Sequence, residues 1–170
     1  MSLMKSVSLP MGWEARDFKL MGVDGKEYSL ADFKEKKGLL IVFSCNHCPF
    51  AKKQWPELVK LDKELGAEVG IIVINSNDPD MYPEDGLEGM KELVEKYGIK
   101  FPYVVDETQE IAKTYQAQCT PDSFLFKNES GVFKLHYHGK DLKKGMEGLV
   151  KGEPVLEKQK RSMGCSIKWK

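Results

Sequence analysis

The chain has 170 residues, 41% apolar and 31% charged, and its 26 basic and 26 acidic side chains leave no net charge. That is an ordinary soluble composition with enough length for a buried core, and we read residues 1–170 as one domain. The charge balance argues against nucleic acid or an anionic membrane as the main partner, and the longest apolar run, Leu39 to Phe43, is far shorter than the ~20 residues of a membrane span.

Met1 to Trp13 carries a single lysine and none of the apolar block of about 7–15 residues that marks a secretory signal. Phe18 to Leu30 reads as a hairpin around Asp24-Gly25. Leu39 to Ser44 is apolar enough for a central strand buried on both faces. From Pro49 to Leu65 the residues Trp55, Leu58, Val59, Leu61 and Leu65 recur at helical spacing, with a kink expected at Pro56. Val69 to Asn75 is a second buried strand, so residues 39–75 form a β-α-β unit with a parallel pair.

A second amphipathic helix is predicted over Gly86 to Tyr97, ended by Gly98, followed by a strand at Tyr103 to Val105 and a helix at Thr108 to Ala117. Ser123 to Phe126 and Val132 to Tyr137 flank Asn128-Glu129-Ser130-Gly131 as a hairpin, and Asp141 to Val150 reads as a closing helix. Residues 158–170 are basic and aperiodic, which predicts a tail.

The chemistry concentrates in Cys45-Asn46-His47-Cys48-Pro49-Phe50, directly after the first buried strand. A pair of cysteines at this spacing is a redox couple, half of a zinc site or a coincidence. The strand–helix junction favours the redox reading, because a helix N-terminus offers partial positive charge and free N–H groups to a thiolate. Zinc needs two further ligands, and the remaining candidates are the scattered Cys119, Cys165, His136 and His138. We therefore expect neither metal nor cofactor. Cys45, before the first turn, is the expected nucleophile and the more exposed thiol, with Cys48 resolving. Four cysteines are too few for a disulfide scaffold, so a cytoplasmic protein with functional thiols is expected.

His136 and His138 flank Tyr137 and share a strand face with Lys134, which reads as polar and solvated, with weak metal binding as the alternative. Asp78, Asp80, Glu84, Asp85 and Glu88 form an acidic loop that lacks EF-hand spacing and reads as solvated too. Cys119 is either an inert buried thiol or an auxiliary one. Cys165, in the expected tail, is either a relay to Cys45 or a bystander.

A β-α-β half followed by a hairpin and helix, with Cys45-x-x-Cys48 opening the first helix, resembles the thioredoxin arrangement. Thr120-Pro121 stands where thioredoxin-fold proteins carry a cis-proline facing the dithiol. Phe101-Pro102-Tyr103-Val104-Val105-Asp106, Cys119-Thr120-Pro121-Asp122 and the ending Gly164-Cys165-Ser166-Ile167-Lys168-Trp169-Lys170 resemble the peroxiredoxin-like group of that superfamily. The resemblance implies an α/β thioredoxin-like fold: a mixed central sheet flanked by helices, an N-terminal hairpin and an insert over residues 76–105. It implies a thiol–disulfide oxidoreductase in which Cys45 forms a mixed disulfide that Cys48 resolves. The partners are then a protein or small-molecule disulfide and an unidentified thiol electron donor or acceptor.

The chain also departs from the pattern. Leu39 stands where thioredoxins place a buried acid and Ser44 where they place a tryptophan, so no proton acceptor for Cys48 is nameable. In the peroxiredoxin motif P-x-x-x-T-x-x-C, aligned on Cys48, Ile41 and Cys45 replace the proline and threonine, and the only arginines are Arg16 and Arg161. A thiol-dependent peroxidase with antioxidant activity is thus the second reading, and a redox-sensing or metal-holding module the third. Asn46-His47 replaces thioredoxin's Gly-Pro. A protonated His47 would stabilise the Cys45 thiolate and lift the potential above thioredoxin's, about −270 mV, towards the oxidising end of the superfamily at about −120 mV.

Overall fold

The computed structural model describes residues 3–170, so the first two residues of the Met1 to Trp13 segment lie outside it. In chain order it comprises β1 (Leu3–Lys5), β2 (Leu20–Gly22), β3 (Glu27–Tyr28), β4 (Gly38–Phe43), α1 (Pro49–Leu65), β5 (Val69–Asn75), α2 (Leu87–Tyr97), β6 (Tyr103–Val105), α3 (Glu110–Thr114), β7 (Cys119–Thr120), β8 (Asp122–Glu129), β9 (Val132–His138), α4 (Leu142–Val150) and β10 (Met163–Ser166). Short 3-10 turns lie at Leu30–Phe33 and Pro83–Asp85.

Seven strands form the main sheet in the order β3-β2-β6-β5-β4-β8-β9. β4 pairs in parallel with β5 and antiparallel with β8, so the sheet is mixed, as expected of a thioredoxin-like fold. Every residue of β4 and β5 is buried, because helices and loops cover both faces. Leu40 and Val42 point to the face under Trp55 and Leu58 of α1, Met90 of α2 and Met146 of α4. Leu39, Ile41 and Phe43 point to the other, with Phe18, Phe33, Ala112 and Tyr115.

α1 starts as its sequence dictates: Cys48 is the extended N-cap residue, and Pro49 takes the first helical position, where no backbone N–H is needed. The helix continues through Pro56 to Leu65. α2 stops at Gly98, whose φ of 64° is the left-handed ending that glycine adopts at least cost. α3 is shorter than the predicted Thr108 to Ala117, since Gln109 and Gln116 both have positive φ and interrupt the helical run at each end.

Two expectations fail. Residues 158–170 are not a tail: β10 is the centre of a second, three-stranded sheet, β1-β10-β7. Beyond β10, Ile167 N–H donates to Gln118 O at 3.1 Å, Lys168 N–H to Asn77 Oδ1 at 2.9 Å and Lys170 N–H to Gln109 Oε1 at 3.0 Å. Pairing this short strand depends on partners far away in sequence, which periodicity does not reveal. The second failure lies in β9. Leu125 pairs with Tyr137 but Phe126 with Leu135, so His136 is the extra residue of a β-bulge. The bulge reverses the alternation: Tyr137 joins the α1 side of the core while His138 turns onto Phe124, and both histidines are buried instead of solvated.

Candidate active site

Cys45 and Cys48 lie where β4 ends and α1 begins, and the thiol expected to be exposed is not: both have zero relative exposure. The Thr120–Pro121 peptide is cis, and the short loop it shapes lies against both sulfurs. Cys45 Sγ is 3.4 Å from Thr120 Oγ1, and Cys48 Sγ is 3.4 Å from Thr120 O. Asp122 directly follows this loop, fully buried, and accepts a hydrogen bond from the His138 ring at 2.7 Å. Burial pushes the Asp122 carboxyl above its usual range while His138 opposes the shift. The pair ties the proline loop to β9.

Cys48 is disulfide-bonded to Cys165 of β10, not to Cys45. Cys165 is therefore neither exposed nor a direct partner of Cys45 here, although Cys45, Cys48, Ala51 and Cys165 pack as one buried cluster. Register explains the meeting: antiparallel pairing sets Cys165 opposite Thr120, the residue that touches both dithiol sulfurs. Cys119 is buried one residue earlier, its thiol 3.6 Å from Pro121 O, and burial holds its pKa well above the ordinary range.

The insert brings a buried acid to the dithiol loop, on the Cys45 side. Asp85 closes the Pro83–Asp85 turn with a fully buried side chain, whereas Asp80, Glu84 and Glu88 of the same acidic loop stay exposed. Asp85 Oδ1 accepts from Asn46 N–H at 2.7 Å and His47 N–H at 3.1 Å, and Oδ2 accepts from Asn77 Nδ2 at 3.0 Å and pairs with His47 Nδ1. Asn46 is further held by Glu84 O at 2.7 Å and by the Tyr103 hydroxyl, which donates to its Oδ1 at 2.8 Å. The His47 ring stacks on Tyr82 at 4.2 Å, with Lys168 Nζ above the other ring at 5.6 Å. Asn46 and His47 are thus clamps on the dithiol loop as much as redox spacers.

This arrangement changes the electrostatics expected of His47. Its charge, when present, is matched by Asp85, and the Cys45 sulfur, a His47 ring nitrogen and an Asp85 oxygen lie within 4.8 Å of one another. Burial, aided by Asp85, pushes the Cys45 thiol up to about 11. The cysteine is therefore a thiol, not a thiolate, at neutral pH in this bridged state. The same three groups are metal-ligand types. Both Asp85 oxygens are already engaged by donors from Asn46, His47 and Asn77, which suits a proton network.

The AhpC/TSA family model matches residues 11–134. The chain belongs to that family. Among the relatives of this chain, the thiol-disulfide oxidoreductase ResA of Bacillus thuringiensis subsp. konkukian is 31% identical over 150 residues, covering 86% of this chain and 80% of its own. The thioredoxin-like protein YneN of Bacillus subtilis is 27% identical, covering 84% and 80%. A crystal structure of a conserved protein from Geobacillus kaustophilus superposes with a TM-score of 0.94 at 41% identity, covering 100% of this chain and 97% of that one. The thioredoxin domain of a Bacteroides vulgatus thiol-disulfide oxidoreductase superposes at 0.69 with 22% identity, covering 84% and 99%, a likeness of fold. With these relatives and its Cys45-x-x-Cys48 pair, this AhpC/TSA member is an oxidoreductase of the thioredoxin type.

Proposed function

We propose that the reduced protein exchanges electrons with a protein disulfide through Cys45 and Cys48. Cys45, as thiolate, attacks one sulfur of the substrate disulfide. The other substrate sulfur leaves as a thiolate and takes up a proton. Cys48 then attacks Cys45 Sγ in the mixed disulfide, releasing the second substrate thiol and closing a Cys45–Cys48 disulfide. The Asp85–His47 pair accepts the proton that Cys45 gives up, a role supported by its place in the same buried cluster.

The observation that carries this reading is Thr120, whose hydroxyl and carbonyl oxygens lie 3.4 Å from Cys45 Sγ and Cys48 Sγ respectively. It gives an extended substrate segment a backbone rail beside the nucleophile. The peroxidase reading has less support: Arg16 lies over the Trp13 ring, and Arg161 reaches Ser6 O, so neither guanidinium touches the Cys45 cluster that a peroxide would have to enter. Insulin reduction with a dithiol donor, run beside peroxide consumption, tests the choice. We expect insulin turnover that Cys45→Ser brings down to the donor-only rate. Peroxide turnover without insulin turnover would overturn the reading.

A further inference from the structure

The Cys48–Cys165 bond raises a question that a two-cysteine cycle leaves open. Its formation requires Cys165 to sit opposite Thr120, on the edge of β7. That edge is where an extended disulfide substrate would find free backbone groups beside the dithiol, since an unpaired strand edge is a template for adding a strand. In this structure β10 fills it, with Cys165 opposite Thr120 and Ser166 opposite Cys119. The chain's own C-terminal strand thus lies where a substrate would, and its cysteine is joined to the dithiol.

We propose that Cys165 is a third redox cysteine, and that the Cys48–Cys165 disulfide is the closed oxidised form of the enzyme, reached from Cys45–Cys48 by exchange within the chain. The inference rests on the dithiol cycle proposed above. After substrate reduction leaves Cys45–Cys48, the Cys165 thiolate attacks Cys48 Sγ. The Cys45–Cys48 bond breaks, Cys48–Cys165 forms, and Cys45 leaves with the electron pair and takes up the proton that Cys165 lost. One disulfide is present before and after, so no outside oxidant or reductant enters this step.

Two features keep the closed form from reverting. The raised pKa of Cys45 in this form leaves little thiolate to attack Cys48 at neutral pH. β10 is also held from both sides, by β1 and by β7, with Ser6 N–H donating to Ser162 O at 3.0 Å just before it. Both sulfurs of the bond are buried, with Cys48 at 0% and Cys165 at 1% exposure, so the stored disulfide is shielded from bulk thiols. A dithiol donor then reaches it by displacing β10 or by way of the Cys45–Cys48 isomer.

Disulfide mapping of the wild-type protein tests this without relying on turnover. The reduced protein is oxidised with a dithiol-specific oxidant, quenched in acid, alkylated under denaturing conditions and digested. We expect Cys48–Cys165 as the main linkage with Cys45 alkylated, and Cys45–Cys48 in its place when Cys165→Ser is oxidised alike. Wild type showing only Cys45–Cys48, with Cys165 fully alkylated, overturns the proposal. So does a Cys48–Cys165 bond that stays intact while a dithiol donor and insulin turn over, because that bond would be a structural staple. Failure of insulin turnover with the expected mapping would instead count against the substrate cycle, so the two failures are told apart.

Discussion

At Cys45 two effects act in the same direction, burial and the neighbouring Asp85. Burial is the larger cause of the raised thiol pKa, and the Asp85 charge adds to it, since a neighbouring anion disfavours a second anion. Asp85→Asn removes that charge while keeping an oxygen for the Asn46 and His47 amides. In the oxidised protein, where Cys45 is free, the ultraviolet thiolate absorbance of wild type should rise in a step near pH 11, and the variant should titrate at lower pH. In this bridged form the Asp85 charge thus opposes the thiolate stabilisation expected from His47 alone. The two cysteines were legible because their spacing after a buried strand is a local signal, and Thr120-Pro121 through its place in the thioredoxin-like pattern. Asp85 was not, for it reaches Asn46 across 39 positions and resembles its solvated neighbours in the same loop.

Among the elements, those marked by an apolar run or a turn signal were readable, and those without such a mark were not. α1, β5 and β6 have the predicted boundaries, since apolar periodicity or a continuous apolar run marks each. β7 has two residues and β10 four, too few for any period to register. The β9 bulge was equally silent, because an inserted residue leaves the composition unchanged while it exchanges the faces of everything beyond it. The fit of β10 against the proline loop is tight at Gly164: a Cβ built there would lie 2.0 Å from Thr120 O and 3.1 Å from Pro121 N. Both are backbone atoms that cannot rotate away. Gly164→Ala should therefore lift β10 from β7, lower the melting temperature and reduce the yield of Cys48–Cys165 on oxidation, with thermal denaturation and disulfide mapping as the readouts.

For the whole molecule, a mixed sheet buried on both faces holds the strand end from which Cys45 emerges. Ile41 sits fully buried at the middle of β4, between Ile72 and Phe124. Ile41→Ala should cost about 2–5 kcal/mol of stability, the usual range for deleting so much buried hydrocarbon, as denaturant titration would measure. The same enclosure has a consequence for how the protein's motions can be followed. Cys45 and Cys119 are free thiols with no exposed surface, both beside the Thr120–Pro121 loop. An alkylating reagent meets them only in molecules that have opened. The labelling rate at Cys119, divided by that of an unstructured peptide thiol, is then an opening equilibrium constant when reclosing is fast. Comparing that constant before and after reduction gives the free energy with which one covalent bond holds the strap shut, read without any introduced probe.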